Sequence, residues 1–110
     1  MPHLSNFTSE FFKALAHPLR IRVLDALREG ELGVSELSAR LKAEQSTLSQ
    51  HLAVLRAQRL VVNRKAGNQV FYSVRDPILL EVLALMRNYF HKYLSEAQEM
   101  LREMSESEKS

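Results

Sequence analysis

Five side chains that hydrogen-bond without carrying charge crowd into six positions: Gln45, Ser46, Thr47, Ser49 and Gln50. On a helix, at about 100° per residue, Leu48, Leu52 and Leu55 share one face; Ser46, Thr47 and Gln50 lie opposite, and Ser49 falls on the flank. Short hydroxyls permit close approach, and a glutamine amide can pair with two adjacent atoms of an adenine edge. Between Gln45 and Leu55 there is neither Lys nor Glu, the residues a merely solubilising face usually carries. Such a face suits the major groove of DNA. An ordinary surface helix is the competing reading.

Other chemistry finds little support. The histidines, His3, His17, His51 and His91, are scattered, and none sits beside a glycine-rich loop or a carboxylate pair. No enzyme is expected. His51 borders the apolar face as a packed boundary residue, and His17 falls at a helix junction. The absence of cysteine removes thiolate metal sites and disulfides. Nitrogen and oxygen ligands remain, and loss of Met1 would leave Pro2-His3, whose terminal amine, amide and imidazole can bind Ni(II) or Cu(II). His3 and His91 are thus the candidate ligands for Ni(II) or Zn(II), set against a disordered tail with an incidental histidine.

The elements that must hold the polar face are legible around it. Leu4, Phe7, Phe11 and Leu15 recur at helical spacing, and a second helix follows Pro18 through Ile21, Val23, Leu24 and Leu27, with Gly30 at its end. Val34, Leu37 and Leu41 describe a short helix, a break of about three residues from the next, which is a helix-turn-helix pattern. LVVNRK, AGNQ and VFYSVR then read as a β-hairpin turning at Gly67-Asn68. Asp76-Pro77 starts a long helix expected to reach about Met104, leaving residues 105–110 as a polar, disordered tail. The expectation is one domain over residues 1–104, mainly α with a small β-hairpin.

With 110 residues, 45% of them hydrophobic, three glycines and three prolines, the chain suits one mostly helical core. No apolar run approaches the ~20 residues of a membrane span, and MPHLSNFTSE lacks signal-peptide regions, so a cytoplasmic protein is expected. Charge is divided. Lys13 to Arg75 holds eleven Lys/Arg against five Asp/Glu, whereas Asp76 to Ser110 holds four against seven. The front of the chain therefore suits a polyanion. Arg64, Lys65, Asn68 and Gln69 near the hairpin tip, with Arg20 in the second helix, are the candidate phosphate contacts. The long helix carries more apolar surface than one small core needs, which points to a homodimer through the first and last helices. Phe7, Phe11, Leu79, Val82, Met86, Tyr89 and Tyr93 are its candidate interface residues.

In LAHPLRIRVLDAL (15–27), VSELSARL (34–41), QSTLSQHLAVLRAQRLV (45–61) and RKAGNQVFYSV (64–74), the chain resembles the ArsR/SmtB family of bacterial winged-helix regulators over about residues 10 to 95. The resemblance implies a dimeric repressor on a palindromic operator, the helix at Gln45 to Gln58 in the major groove and the hairpin as a wing along the phosphates. Lys42 and Glu44 depart from the glycine and capping serine common in the family's turn, and a carboxylate there repels phosphate. The family's metal positions are not filled: Gly33 and Ser35 stand where the thiolate site has cysteines. Asp76 is followed by Pro77 and Ile78, not by Asp-x-His, and His91 is alone on its helix. A small effector is a further expected partner. The alternatives are a metal-responsive regulator with nitrogen and oxygen ligands, and a winged-helix protein-interaction module that binds no operator.

Overall fold

The computed structural model describes residues 4–109. Its elements, in chain order, are α1 (Leu4–Leu15), α2 (Pro18–Ala26), a single 3-10 turn (Leu27–Glu29), β1 (Leu32–Gly33), α3 (Val34–Leu41), α4 (Gln45–Ala57), β2 (Val61–Ala66), β3 (Gln69–Val74) and α5 (Ile78–Lys109). All the expected helices and the hairpin form. β1 is an addition: it pairs antiparallel with β3, Leu32 opposite Tyr72 and Gly33 opposite Phe71, and makes a three-stranded sheet of order β1-β3-β2. Two residues give no alternation to read, so this strand exists only through its partner. Gly33 lies close to the Phe71 ring, where a Cβ would come 3.4 Å from the ring edge, in ordinary contact.

The chain divides into two compact units, Met1–Leu80 and Glu81–Ser110. The second unit consists of α5 from Glu81 onward. In the first unit Val23, Leu24, Leu37, Leu48, Leu52, Leu55 and Val61 are fully buried, one stripe from each of α2, α3, α4 and β2. No polar or charged residue is buried with them among the described residues.

Local signals fix the helix ends. Pro18 opens α2, and His17 caps it by accepting the Leu19 amide on Nδ1 at 3.0 Å. Asp76 caps α5 through Oδ1, 2.9 Å from the Ile78 nitrogen. α5 then runs to Lys109, five residues past the expected Met104. A polar sequence bars burial but not helix formation, and Arg102 ties the last turns by pairing with both Glu99 and Glu106.

Helices α3 and α4 both end on a left-handed residue that is not glycine. Lys42 has φ 52° with the Ala43 amide bonded to the Ser38 carbonyl; Arg59 has φ 61° with the Leu60 amide bonded to the Leu55 carbonyl. A Cβ in this region costs about 1 kcal/mol that glycine does not incur. Lys42→Gly and Arg59→Gly should therefore each stabilise the fold by about 0.5 to 1 kcal/mol. Urea unfolding that shows either variant less stable than the parent would contradict this account of the turns.

Candidate nucleic-acid interface

Burial of Leu48, Leu52 and Leu55, each at 0% exposure, fixes how α4 is rotated about its axis. Gln45, Ser46, Thr47, Ser49 and Gln50 are consequently all exposed. The face is free of charge from Gln45 to Gln50, and the first cation on α4 is the exposed Arg56 in its last turn. Glu44 occupies the N-cap position in extended conformation (φ −63°, ψ 142°), but its side chain makes no capping bond. A carboxylate one bond longer than aspartate's does not reach back to the first-turn amides here.

The hairpin turns through Gly67, whose φ of 63° suits glycine at the first position of a two-residue loop. Its tip comes beside the helix pair: Ser35 and Val34 of α3, Gln45 and Ser49 of α4, and Asn68, Gln69 and Val70 line a cleft of about 260 Å³. Gln45 Nε2 lies 3.4 Å from Ser35 Oγ across it. Ser35 thus joins the polar surface, which the sequence did not disclose: only a shared face of two helices reveals it.

The candidate phosphate contacts separate into two groups. Lys65, Asn68 and Gln69 are exposed at or beside the tip, as expected. Arg64 and Arg20 are not free, contrary to expectation. Arg64 Nε and Nη2 donate to Glu31 Oε2 and Oε1 at 2.8 and 2.6 Å, and its guanidinium carbon stands 4.8 Å from the Phe71 ring centre. The hydrogen bond to Arg64 holds the Glu31 carboxyl below the usual carboxylate range, and the same pair raises the Arg64 pKa. Arg20 is half-buried and donates from Nη1 to the Lys13 and Ala14 carbonyls, both at 3.2 Å. A partner 33 residues away along the chain leaves no local trace in sequence, which is why Arg64 reads there as a free cation.

The candidate interface residues also separate. Phe7, Val82, Tyr89 and Tyr93 are exposed, joined by Phe12, Leu85, Phe90 and Leu94. Phe11 and Met86 are half-buried. Leu79 is only 7% exposed, so it belongs to the core and is withdrawn from the interface.

Metal ligands do not assemble. Among the described residues no three of His, Cys, Asp and Glu converge, and His91 is exposed. His3 lies outside the described residues. Gly33 and Ser35 offer no thiolate. The residues present do not fit the thiolate site.

A two-helix reader with a β wing beside it defines a winged helix-turn-helix regulator. The chain belongs to the arsR family of bacterial regulatory proteins, whose model matches residues 17–62. An uncharacterized HTH-type transcriptional regulator of Mycobacterium tuberculosis, Rv0081, is 41% identical over 102 residues, 92% of this chain and 90% of that protein. Its crystal structure superposes with a TM-score of 0.79 over 87% of this chain and 97% of that one. A transcriptional repressor SmtB homolog of Synechocystis is 47% identical over 68 residues, 62% of this chain and 52% of that protein. A solution structure from Mycobacterium bovis, described as a homodimeric winged helix-turn-helix DNA-binding domain, gives a TM-score of 0.77 at 26% identity, over 84% of this chain and 86% of that one. The chain is thus a transcriptional regulator, not an enzyme. No helix among its described residues is long and apolar enough to cross a membrane.

The Glu31 clamp yields a direct test. Glu31→Gln removes a negative charge beside the wing and releases Arg64, so affinity for any duplex should rise and the dependence of log K on log salt should steepen by about one unit. An unchanged salt slope would mean that Arg64 never reaches the phosphates.

Proposed function

We propose that this protein is a dimeric repressor that reads an imperfectly palindromic operator with the N-terminal half of α4 and steadies itself on the phosphates with the tip of the β2-β3 wing. One observation carries the reading: the exposed N-terminal half of α4 is built of short hydroxyls and amides without charge, set beside a wing tip bearing Lys65, Asn68 and Gln69. Charge-free donors and acceptors suit base edges, and the cation on the projecting hairpin suits phosphate. The Synechocystis relative, named a repressor, supports the sign of regulation.

Dimerisation follows from the surface that α5 leaves in water. Met86, Phe90, Tyr93, Ala97, Met100 and Met104 alternate intervals of four and three, a heptad seam suited to a second helix. The homodimeric Mycobacterium bovis domain supports the same assembly. Two copies related by a two-fold axis place two α4 helices on half-sites one helical turn or a multiple apart. Phe90→Glu with Tyr93→Glu should give a monomer by sedimentation and weaken binding to the full operator by about a hundredfold, the gain that linking two half-site contacts supplies. A double variant that remains dimeric would put the interface elsewhere.

Gln50→Ala should cost about 1 to 3 kcal/mol on the selected site and relax preference at one base pair, whereas Lys65→Ala should weaken all duplexes alike and lower the salt slope by about one. Binding-site selection followed by titration at two salt concentrations measures both. Equal losses on specific and random DNA for the two variants would overturn the division of roles. Affinity for DNA that is weak and insensitive to salt would favour a protein-interaction module instead.

A further inference from the structure

Where α1 gives way to α2, three side chains meet on the flank of α4. His17, the cap of α2, has its ring centre 4.2 Å from that of His51, with 39° between the planes. His51 directly follows Gln50 on α4, and its Nδ1 accepts the Arg20 Nε proton at 3.1 Å. Arg20, through its bonds to the Lys13 and Ala14 carbonyls, also holds the last turn of α1. One guanidinium therefore ties α1, α2 and α4 together, and the tie to α4 passes through a single imidazole nitrogen.

Both imidazoles use Nδ1 as an acceptor, His17 from the Leu19 amide and His51 from Arg20, so each neutral ring carries its proton on Nε2. A metal at Nε2 would have to move that proton to Nδ1 and break the bonds from the Leu19 amide and Arg20, or leave an imidazolate, so the pair as bonded is not arranged as a metal site. The same tautomer determines where a second proton must go. Only the two accepting Nδ1 atoms are open to it. Protonation of His51 would turn Nδ1 into a donor facing the Arg20 N–H and set two cations in contact; protonation of His17 would remove the cap of α2.

The charged and titratable groups acting on His51 are His17 from the α1-α2 junction and Arg20 from α2, and the ammonium of Lys13 is turned to Glu10 at 3.2 Å. Burial, first, and then these two neighbours hold the His51 pKa below the ordinary imidazole value. A lowered folded pKa means that the neutral, bonded joint contributes its full stability above the unfolded value of about 6.5 and loses it as pH falls through the folded value.

We propose that His17, Arg20 and His51 form a proton-sensitive joint that sets the base-reading face of α4 against α1 and α2, so that acidification weakens sequence discrimination but not phosphate binding. The proposal rests on the DNA reading above. Its signature is an opposition: protons that break the joint also add positive charge, which strengthens attachment to any polyanion. Specific and random affinities should therefore converge as pH falls.

The test compares the dimeric protein on its selected operator and on random duplex from about pH 8 to about pH 5 at constant ionic strength. Wild type should lose at least about fivefold in the ratio of the two affinities across that range. His51→Asn places an amide oxygen where Nδ1 stood and cannot be protonated, so its ratio should stay level with pH; His51→Leu should give a low ratio throughout. A wild-type ratio independent of pH, or a His51→Asn variant that declines in parallel with wild type, overturns the proposal. Nitrogen-15 spectra of the imidazoles supply a readout independent of DNA, expected to show His51 unprotonated at Nδ1 and titrating below free histidine. If no duplex is preferred over random sequence at any pH, the operator reading fails. In that case an Nδ1-protonated His51 titrating at or above the free value would overturn the joint as well.

Discussion

The rotation of α4 about its own axis is the constraint on which the remainder of the binding surface depends, and three leucines set it. Burying a leucine side chain stabilises by about 1.5 to 3 kcal/mol, so Leu48, Leu52 and Leu55 together contribute an amount comparable to the net stability of a small domain. No arrangement of the opposite face competes, since a hydrogen bond made there in place of one to water is worth about 1 kcal/mol net. Which hydroxyls and amides look outward is decided by which leucines must look inward. The polar residues are free to serve recognition because they carry no part of the folding.

Arginine placement follows a different logic from that of the leucines. Arg20, Arg22 and Arg64 spend their donors within the protein: Arg20 on the end of α1, Arg22 on the Leu41 carbonyl at the end of α3 at 3.0 Å, and Arg64 on Glu31. Two of these satisfy carbonyls that a helix end leaves without intrahelical partners. The basic character of the first unit is therefore partly structural, and the charge offered to DNA is smaller than the residue count implies.

How far the sequence discloses this follows from the range of each interaction. Apolar spacing and caps act within a few residues, so α2 at Pro18, the turn at Gly67 and the start of α5 at Asp76 are all readable in the linear chain. The Glu31–Arg64 pair, the β1–β3 pairing and the contact of His51 with Arg20 join residues 31 to 40 positions apart, and no local pattern records them. Leu79 shows the same limit on an apolar residue, since helical periodicity gives a face but not what covers it. At the C-terminus polarity was legible and helicity was not, because solvation and backbone hydrogen bonding make separate demands on Ser105–Lys109.

Strand order has an implication for how crowded DNA-binding subunits remain apart. Because β3 is flanked on both sides, β2 is left at the margin of the sheet with one row of amides and carbonyls unpaired within it. Such a margin invites a like strand from another copy, and wings gathered on one stretch of operator would meet at high local concentration. With Arg64 neutralised by Glu31, the positive charge of Lys65 on this strand repels its counterpart, so lateral zippering between neighbouring wings is electrostatically discouraged. A cation on the marginal strand thus acts against edge-to-edge pairing whether or not DNA is bound.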